Sequence, residues 1–173
     1  MKYIKGDLLE GDWDVAIHCA NVHCVMGSGV AYFLKKKWPE VFEADLEFMA
    51  DFDSGCKLGN FSRAIVDDGR WVYNLYGQVG VGNDGHPLNR NCQYDHLYNA
   101  LYKSCTYMTN FTDSSNPVRV GVPYGMAACR AGGSWLIIDA MLADMEDKFP
   151  VSFIVYDIDN GEMNAQSSVT IPK

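Results

Sequence analysis

The stretch "VAIHCANVHCVMGSGVAYFLKKKWP", residues 15–39, decides the fold of this chain. It opens with an apolar run that ends at Ala20-Asn21, as a buried strand does, and a loop then leads to Gly27-Ser28-Gly29. A helical pattern follows and is stopped by Pro39, after three lysines that suit the carboxyl end of a helix dipole. The stretch therefore predicts a strand, a glycine-rich loop and a helix in immediate succession.

The rest of the chain continues this alternation of strands and helices. Further apolar runs predict strands, and the complete set is Lys2–Ile4, Val15–Cys19, Phe61–Val66, Trp71–Tyr76, Arg119–Pro123 and Ser152–Tyr156. Helical patterns cover Gly29–Trp38, Glu40–Phe52, Tyr94–Tyr107 and Trp135–Phe149. Such alternation predicts an α/β sheet covered on both faces. We expect one domain over residues 1–158 and a polar, partly disordered tail over 159–173.

Composition excludes several classes of function. The chain has 173 residues, 48% of them hydrophobic, and a formal net charge of −8, which argues against nucleic acid as a partner. It shows no signal-peptide pattern and no apolar run long enough to span a bilayer, so we expect a cytoplasmic protein with no membrane partner. Its six cysteines are then expected to be reduced thiols. A monomer is expected.

Three familiar motifs are considered and disfavoured. Zinc binding by the segment 18–24 is disfavoured because His18 and Cys19, as neighbours in a strand, point to opposite faces. A nucleophile pair of Cys24 with His23 is disfavoured because adjacent residues rarely face each other. The glycine motif of residues 80–85 matches a dinucleotide fingerprint, but no helix pattern follows it. We expect no metal and no cofactor.

Two loops with small residues remain, and each leads into a helix. Gly27-Ser28-Gly29 precedes the first helix, and "YGMAACRAGGSW", residues 124–135, joins a strand to the last helix. Glycines allow close approach of a ligand to the backbone, and the amides of a first helical turn have no acceptor within the helix. The pair of loops predicts a site that grips a diphosphate from two sides.

The same segments resemble the macro domain family. "GDL" (6–8), "CAN" (19–21) and "GSGVA" (27–31) fill the places of the family's first motifs, and "PYGMAACRAGGSW" (123–135) resembles its second ligand loop. "YNLYGQVGVGNDG" (73–85) and "FIVYD" (153–157) are similar to later strands of bacterial and phage members. The resemblance covers about residues 1–158. It implies a three-layer α/β/α sandwich with a mixed, mostly parallel central sheet, and a cleft for ADP-ribose or a derivative.

The resemblance also implies a set of ligand-binding residues. Asp7 is expected to accept the adenine amino group with the Leu8 amide beside it, Tyr156 to pack near adenine, and Asn21 to bond the distal ribose. The two loops are expected to contact the distal ribose and the phosphates through Met26, Gly27, Ser28, Gly29 and Val30 on one side and Ala127, Ala128, Cys129, Arg130 and Ala131 on the other.

The candidate functions are two catalytic reactions and binding without catalysis. His18 stands where phosphatase members similar to the yeast protein carry a histidine, and such a side chain suits general acid or base catalysis. We therefore predict metal-free hydrolysis of ADP-ribose 1''-phosphate, with His18 and Asn21 as the candidate catalytic residues. A binder without catalysis is the alternative, as is an ADP-ribosyl hydrolase. The last is doubtful because the corresponding stretch after "YNLYG" offers no lysine and Ala131 takes the place of an aspartate.

The second loop departs from the family pattern. Ala127 and Cys129 stand where similar members often have glycine, and Ser134 where they often have aspartate. Side chains at these places are expected to narrow the space for phosphate in the second loop or to alter which phosphate fits. Arg130 offers a charged donor to phosphate, or else faces solvent.

Overall fold

The computed structural model describes residues 1–51, 57–66, 69–82, 90–110 and 116–158. One sheet contains β1 (Lys2–Lys5), β2 (Val15–Asn21), β3 (Phe61–Ile65), β4 (Trp71–Gln78), β5 (Val118–Pro123) and β6 (Val151–Asp157). The helices are α1 (Gly29–Lys37), α2 (Pro39–Asp51), α3 (Tyr94–Thr109) and α4 (Trp135–Lys148), and a short 3-10 turn spans Leu8–Glu10. Each predicted strand and helix is present.

The strands lie in the order β1-β6-β5-β2-β4-β3. All neighbouring pairs are parallel except β3 and β4, which are antiparallel, so the sheet is mixed and mostly parallel as predicted. The carboxyl ends of the five parallel strands therefore meet at one edge of the sheet. In open α/β sheets this is the edge at which ligands bind.

Helices cover both faces because side chains alternate along the buried strands. On β2, Val15 and Ile17 pack in one apolar cluster together with residues of α3 and α4. Ala16 belongs to a second cluster, which contains residues of α1 and α2. The molecule is thus the three-layer α/β/α sandwich that the sequence predicted.

Two of the sequence-based interpretations fall partly or wholly outside the described residues. Of the glycine motif 80–85 only residues 80–82 are described, and the tail 159–173 lies outside the described ranges. Among the helices that are described, none has the length and apolar character needed to cross a membrane.

Candidate functional site

The carboxyl ends of β2 and β5, which are neighbours in the sheet, are where a ligand crevice is expected. The chain leaves β2 for α1 on one face and leaves β5 for α4 on the other, as the two apolar clusters show. Strands whose connections diverge in this way leave a gap between their loops, and ligands of parallel α/β sheets bind in that gap. The loop of residues 22–28 and the loop of residues 124–134, called here the first and the second loop, border it.

Asn21 shapes the first loop. A shift in the pairing of β2 with β4 falls between Ala20 and Asn21, so the strand is irregular where it ends. The Asn21 Oδ1 atom accepts from the amides of His23 (3.0 Å) and Val25 (3.2 Å), and its Nδ2 atom donates to the Val25 carbonyl at 2.8 Å. One Nδ2 hydrogen remains without an acceptor among the described residues. The side chain that was predicted to bond ribose therefore folds the loop first.

The amino end of α1 has free donors. Gly29 has a φ of +60°, a conformation that favours glycine, and Ser28 precedes the helix without a side-chain cap. Within the described ranges, the amides of Gly27, Ser28, Gly29 and Val30 donate to no protein acceptor. An anion placed here would find several backbone hydrogens and the positive end of the helix dipole.

Arg130 brings the second loop to this helix end. Its Cδ and Nε atoms lie 3.2 Å from the point that a Cβ on Gly29 would occupy. The Arg130 residue is exposed, and its guanidinium makes no ion pair with a described residue. A cation therefore lies over the unpaired amides of α1, which joins the two predicted loops in one site.

The second loop offers fewer free amides than the sequence predicted. The amides of Ala128 and Cys129 donate to the Gly125 carbonyl at 2.9 and 3.1 Å. Those of Ala127, Arg130 and Ala131 have no acceptor among the described residues. Some amides of the second loop thus bond within the loop, and others remain available to a ligand.

Two of the contact residues predicted in the loops are core residues. Met26 is 5% exposed and packs in the cluster under α1 and α2, while Ala131 is 1% exposed and packs on the side of α4. The Ala131 carbonyl also accepts from the Cys92 amide at 2.9 Å. Because these exposed fractions include the backbone, neither residue offers much surface for a ligand to contact.

His18 lies within β2 and is enclosed by the protein. Its side chain is fully buried, and its Nε2 atom lies 2.6 Å from Oδ1 of Asn74 on β4. Because an amide oxygen only accepts, Nε2 donates, and Nδ1 has no hydrogen-bond partner among the described residues. Burial lowers the pKa of the imidazole below its ordinary value, so the ring is neutral at pH 7. A fully buried ring exposes no surface to a ligand in this conformation.

The predicted adenine-binding residues lie at the β1 end of the edge. Asp7 is exposed and caps the turn Leu8–Glu10 by accepting from the Leu9 amide through Oδ1 at 2.9 Å, while Leu8 is buried. Tyr156 is 5% exposed, is covered by Gly11 and donates to the Asp12 carbonyl at 3.3 Å. Asp7 and Tyr156 both line a trough of about 530 Å³, which neither loop reaches.

A buried polar cluster behind the first loop was missed by the sequence interpretation. The Lys57 Nζ atom lies 3.1 Å from Asp45 Oδ1 and 3.1 Å from Cys24 Sγ, and the side chains of Lys57 and Asp45 are 0% and 1% exposed. Tyr76 donates to the same Asp45 oxygen at 2.8 Å. A lysine within an apolar run would have suggested a buried ion pair. The sequence around Lys57 has no such run, so the pair could not be predicted.

An aromatic pair at the base of the second loop was also missed. The rings of Tyr124, just after β5, and Trp135, at the start of α4, lie 5.1 Å apart. Tyr124 is 46% exposed, so this pair presents an apolar surface at the ligand edge. The two residues bracket the loop in sequence, which is the signal that could have identified them.

Sequence comparison identifies relatives over most of the chain and over a shorter part of it. No protein-family model matches the chain. An uncharacterized 17.5 kDa protein of Enterobacteria phage T4 is 29% identical over 163 residues, which is 89% of this chain and 95% of the phage protein. The DNA ADP-ribosyl glycohydrolase of Mycobacterium tuberculosis is 32% identical over 71 residues, which is 39% of this chain and 18% of that enzyme.

Solved structures share the fold over most of the chain. The macrodomain of Mycobacterium tuberculosis DarG superposes with a TM-score of 0.71 at 20% identity, covering 90% of this chain and 95% of that one. A macrodomain protein from Streptomyces coelicolor gives 0.71 at 22% identity, with 90% and 97% covered. Thermosipho africanus DarTG in complex with ADP-ribose gives 0.67 at 15% identity, with 90% and 40% covered. This chain therefore has the macrodomain fold.

Proposed function

We propose that the chain binds ADP-ribose or a derivative of it in the crevice between the first and the second loop. The observation that carries the proposal is the position of Arg130 over Gly29, which places a cation and the unpaired amides of residues 27–30 around one point. Anions bind well to such a combination of helix end and charged donor. The fold it shares with a DarTG protein solved with ADP-ribose supports the choice of nucleotide.

The proposed binding mode divides the ligand among three groups of residues. The amides of residues 27–30 and the Arg130 guanidinium bind the distal ribose end, and the open amides of Ala127 and Arg130 bind the diphosphate. Asp7 keeps one carboxylate oxygen outside its bond to Leu9 and accepts from the adenine amino group. The free Nδ2 hydrogen of Asn21 donates to the distal ribose.

Calorimetry tests this proposal. Titration of the purified chain with ADP-ribose is expected to give saturable heat, whereas adenine and ribose 5-phosphate alone are expected to bind far more weakly because each meets only part of the site. A thermal-shift series with the same ligands gives an independent measure, since a ligand that binds the native state raises its stability. Absence of both heat and thermal shift with ADP-ribose and with its 1''-phosphate would reject the proposal.

A second candidate function is hydrolysis of ADP-ribose 1''-phosphate. It is favoured by the extra positive charge that Arg130 adds at the amino end of α1, because a terminal phosphate needs more compensation than a ribose hydroxyl does. In this reaction water attacks the phosphorus, the bond from phosphorus to the ribose oxygen breaks, and ADP-ribose and inorganic phosphate leave. The amides and Arg130 stabilise the charge that develops on the phosphate oxygens.

The role of His18 in that reaction needs its own test. The ring is fully buried and bonded to Asn74, so we place charge stabilisation, not proton transfer, at the centre of the candidate reaction. Release of inorganic phosphate is measured for the wild-type chain and for His18→Asn, with ADP-ribose affinity as the control for the fold. Phosphate release that survives in His18→Asn excludes His18 as the proton donor, and no release from the wild type leaves binding alone.

A further inference from the structure

Cys24, Asp45 and Lys57 form a compact site on the side of the first loop that faces α2. The Lys57 amine is enclosed, with the Tyr76 ring centre 4.5 Å away and that of Phe48 at 5.9 Å. Its contacts to Asp45 Oδ1 and to Cys24 Sγ are both 3.1 Å. The Asp45 carboxylate is enough to balance the charge of the buried Lys57. The Cys24 thiol is therefore not needed for charge balance, and it adds a reactive group to the site.

The backbone holds the thiol in this place. Cys24 has a φ of +54°, one of two non-glycine residues with positive φ in the described part of the chain. A side chain in this region costs about 1 kcal/mol or more, and such residues persist where the surroundings fix them. The Cys24 residue is half-buried while Lys57 is fully buried, so a small oxidant from solvent meets the sulfur first.

We propose that Cys24 and Lys57 form an oxidation site, in which a peroxide oxidises the thiol and the lysine amine then closes a covalent Sγ–Nζ bond. In the first step hydrogen peroxide transfers one oxygen atom to the sulfur, which gives a sulfenic acid and one water. In the second step the Lys57 ammonium passes a proton to Asp45, and the free amine attacks the sulfur. The sulfur–oxygen bond breaks, and the oxygen leaves as a second water with a proton from the nitrogen.

The contact distance favours closure over further oxidation. Sulfenic acids condense with thiols or with nitrogen nucleophiles, and a nucleophile held at contact distance reacts as if it were present at very high concentration. Burial raises the pKa of the Cys24 thiol, and the hydrogen bond from Lys57 opposes that rise only in part. The thiol is therefore largely protonated at neutral pH, and the first step is slow without excess peroxide.

The cross-link would act on the first loop. Cys24 lies three residues from both Asn21 and Gly27, so a bond to Lys57 ties this loop to the segment before β3. The consequence for ligand binding rests on the proposed function: a displaced loop is expected to bind ADP-ribose more weakly until a thiol reductant opens the bond. The formation of the cross-link is independent of any ligand.

Peptide mass spectrometry tests the proposal directly. The full chain carrying Cys56→Ser is used, because Cys56 adjoins Lys57 in the sequence and a disulfide to Cys24 would also remove two hydrogens. After treatment with hydrogen peroxide, tryptic digestion without reductant is expected to give the Cys24 peptide joined to the Lys57 peptide, two hydrogens lighter than their sum. Cleavage after Lys57 is lost, and dithiothreitol restores both peptides. Cys129, which is exposed, reports in the same digest that peroxide has acted.

Two variants make the result decisive. Cys24→Ser is expected to give no linked peptide and to keep cleavage after Lys57, and Lys57→Gln is expected to let Cys24 proceed to sulfinic acid. If Cys129 is oxidised while Cys24 stays a thiol or becomes sulfinic acid beside an unmodified Lys57, the proposal is overturned. A cross-link that forms in a chain that does not bind ADP-ribose leaves this proposal standing and rejects the proposed function alone.

Discussion

Replacing Arg130 by methionine separates the charge of this side chain from its stem. Methionine keeps an unbranched apolar stem to pack over Gly29 but has no guanidinium. A hydrogen bond to a charged group contributes about 1.5 to 3 kcal/mol, and the lower figure applies because Arg130 is exposed. Since about 1.4 kcal/mol corresponds to a factor of ten in affinity, we expect ADP-ribose to bind roughly tenfold more weakly.

Calorimetry on matched variants measures this loss. Lys36→Met changes the net charge by the same amount at the opposite end of α1, on an exposed side chain, and is expected to leave affinity within about twofold because exposed distant charges are screened. Arg130→Lys is expected to recover part of the loss. Thermal stability of Arg130→Met is expected to match that of the wild type. Equal affinities of Arg130→Met and Lys36→Met would refute the placement of Arg130 in the site.

Three further predictions follow from named contacts. Asp7→Asn keeps an oxygen for its turn but loses the charge, so it is expected to weaken ADP-ribose binding several-fold in calorimetry while ribose 5-phosphate binding stays unchanged; an equal effect on both ligands would contradict the adenine assignment. Lys57→Met leaves Asp45 buried without its cation and is expected to lower the unfolding free energy, measured in urea, by roughly 3 to 5 kcal/mol. The double variant Lys57→Met/Asp45→Asn is expected to lose less, and a loss equal to or larger than that of Lys57→Met would show that the ion pair is not the cause. Burial raises the pKa of Asp14, but hydrogen bonds from Arg119 outweigh this effect and lower the pKa below its usual value. A lowered carboxyl pKa stabilises the fold above the ordinary range near pH 4, and this stabilisation is lost as the pH falls further. Asp14→Asn is therefore expected to flatten the acid limb of the plot of unfolding free energy against pH, and an unchanged limb would argue against this pair.

The architecture was predictable because it depends on local patterns. Apolar runs and helical spacing set all the strands and helices, and their observed ends differ from the predicted ones by no more than two residues. Tertiary contacts extend β2 and β4, each by two residues: β2 continues to Asn21 through an irregular pairing with Gln78, the last residue of β4. Sequence patterns carry no information on such pairing between distant strands.

For the candidate site, the sequence predicted the position and backbone conformation of the loops but not where the side chains lie. The two loops lie together as the order of strands requires, and Gly29 and Gly125 have the positive φ expected of ligand loops. The alternation rule also placed His18 and Cys19 on opposite faces, and the side of His18 proved to be the one enclosed by α1 and α2. Whether a strand side chain reaches an edge or a core depends on the helix that covers it, which the sequence does not fix.

The second loop shows how the site keeps a conformation that its residues do not favour. Ala127 has a φ of +58°, which costs an alanine about 1 to 2 kcal/mol relative to the right-handed region. The loop opposes this cost with bonds on both sides: the Gly133 amide donates to the Ala127 carbonyl at 3.0 Å, and the Ala128 amide donates to Gly125. A conformation held in this way leaves the Ala127 amide without an acceptor among the described residues. Because strain of this kind is commonly found at ligand sites, the left-handed alanine supports the assignment of the second loop to phosphate binding independently of Arg130.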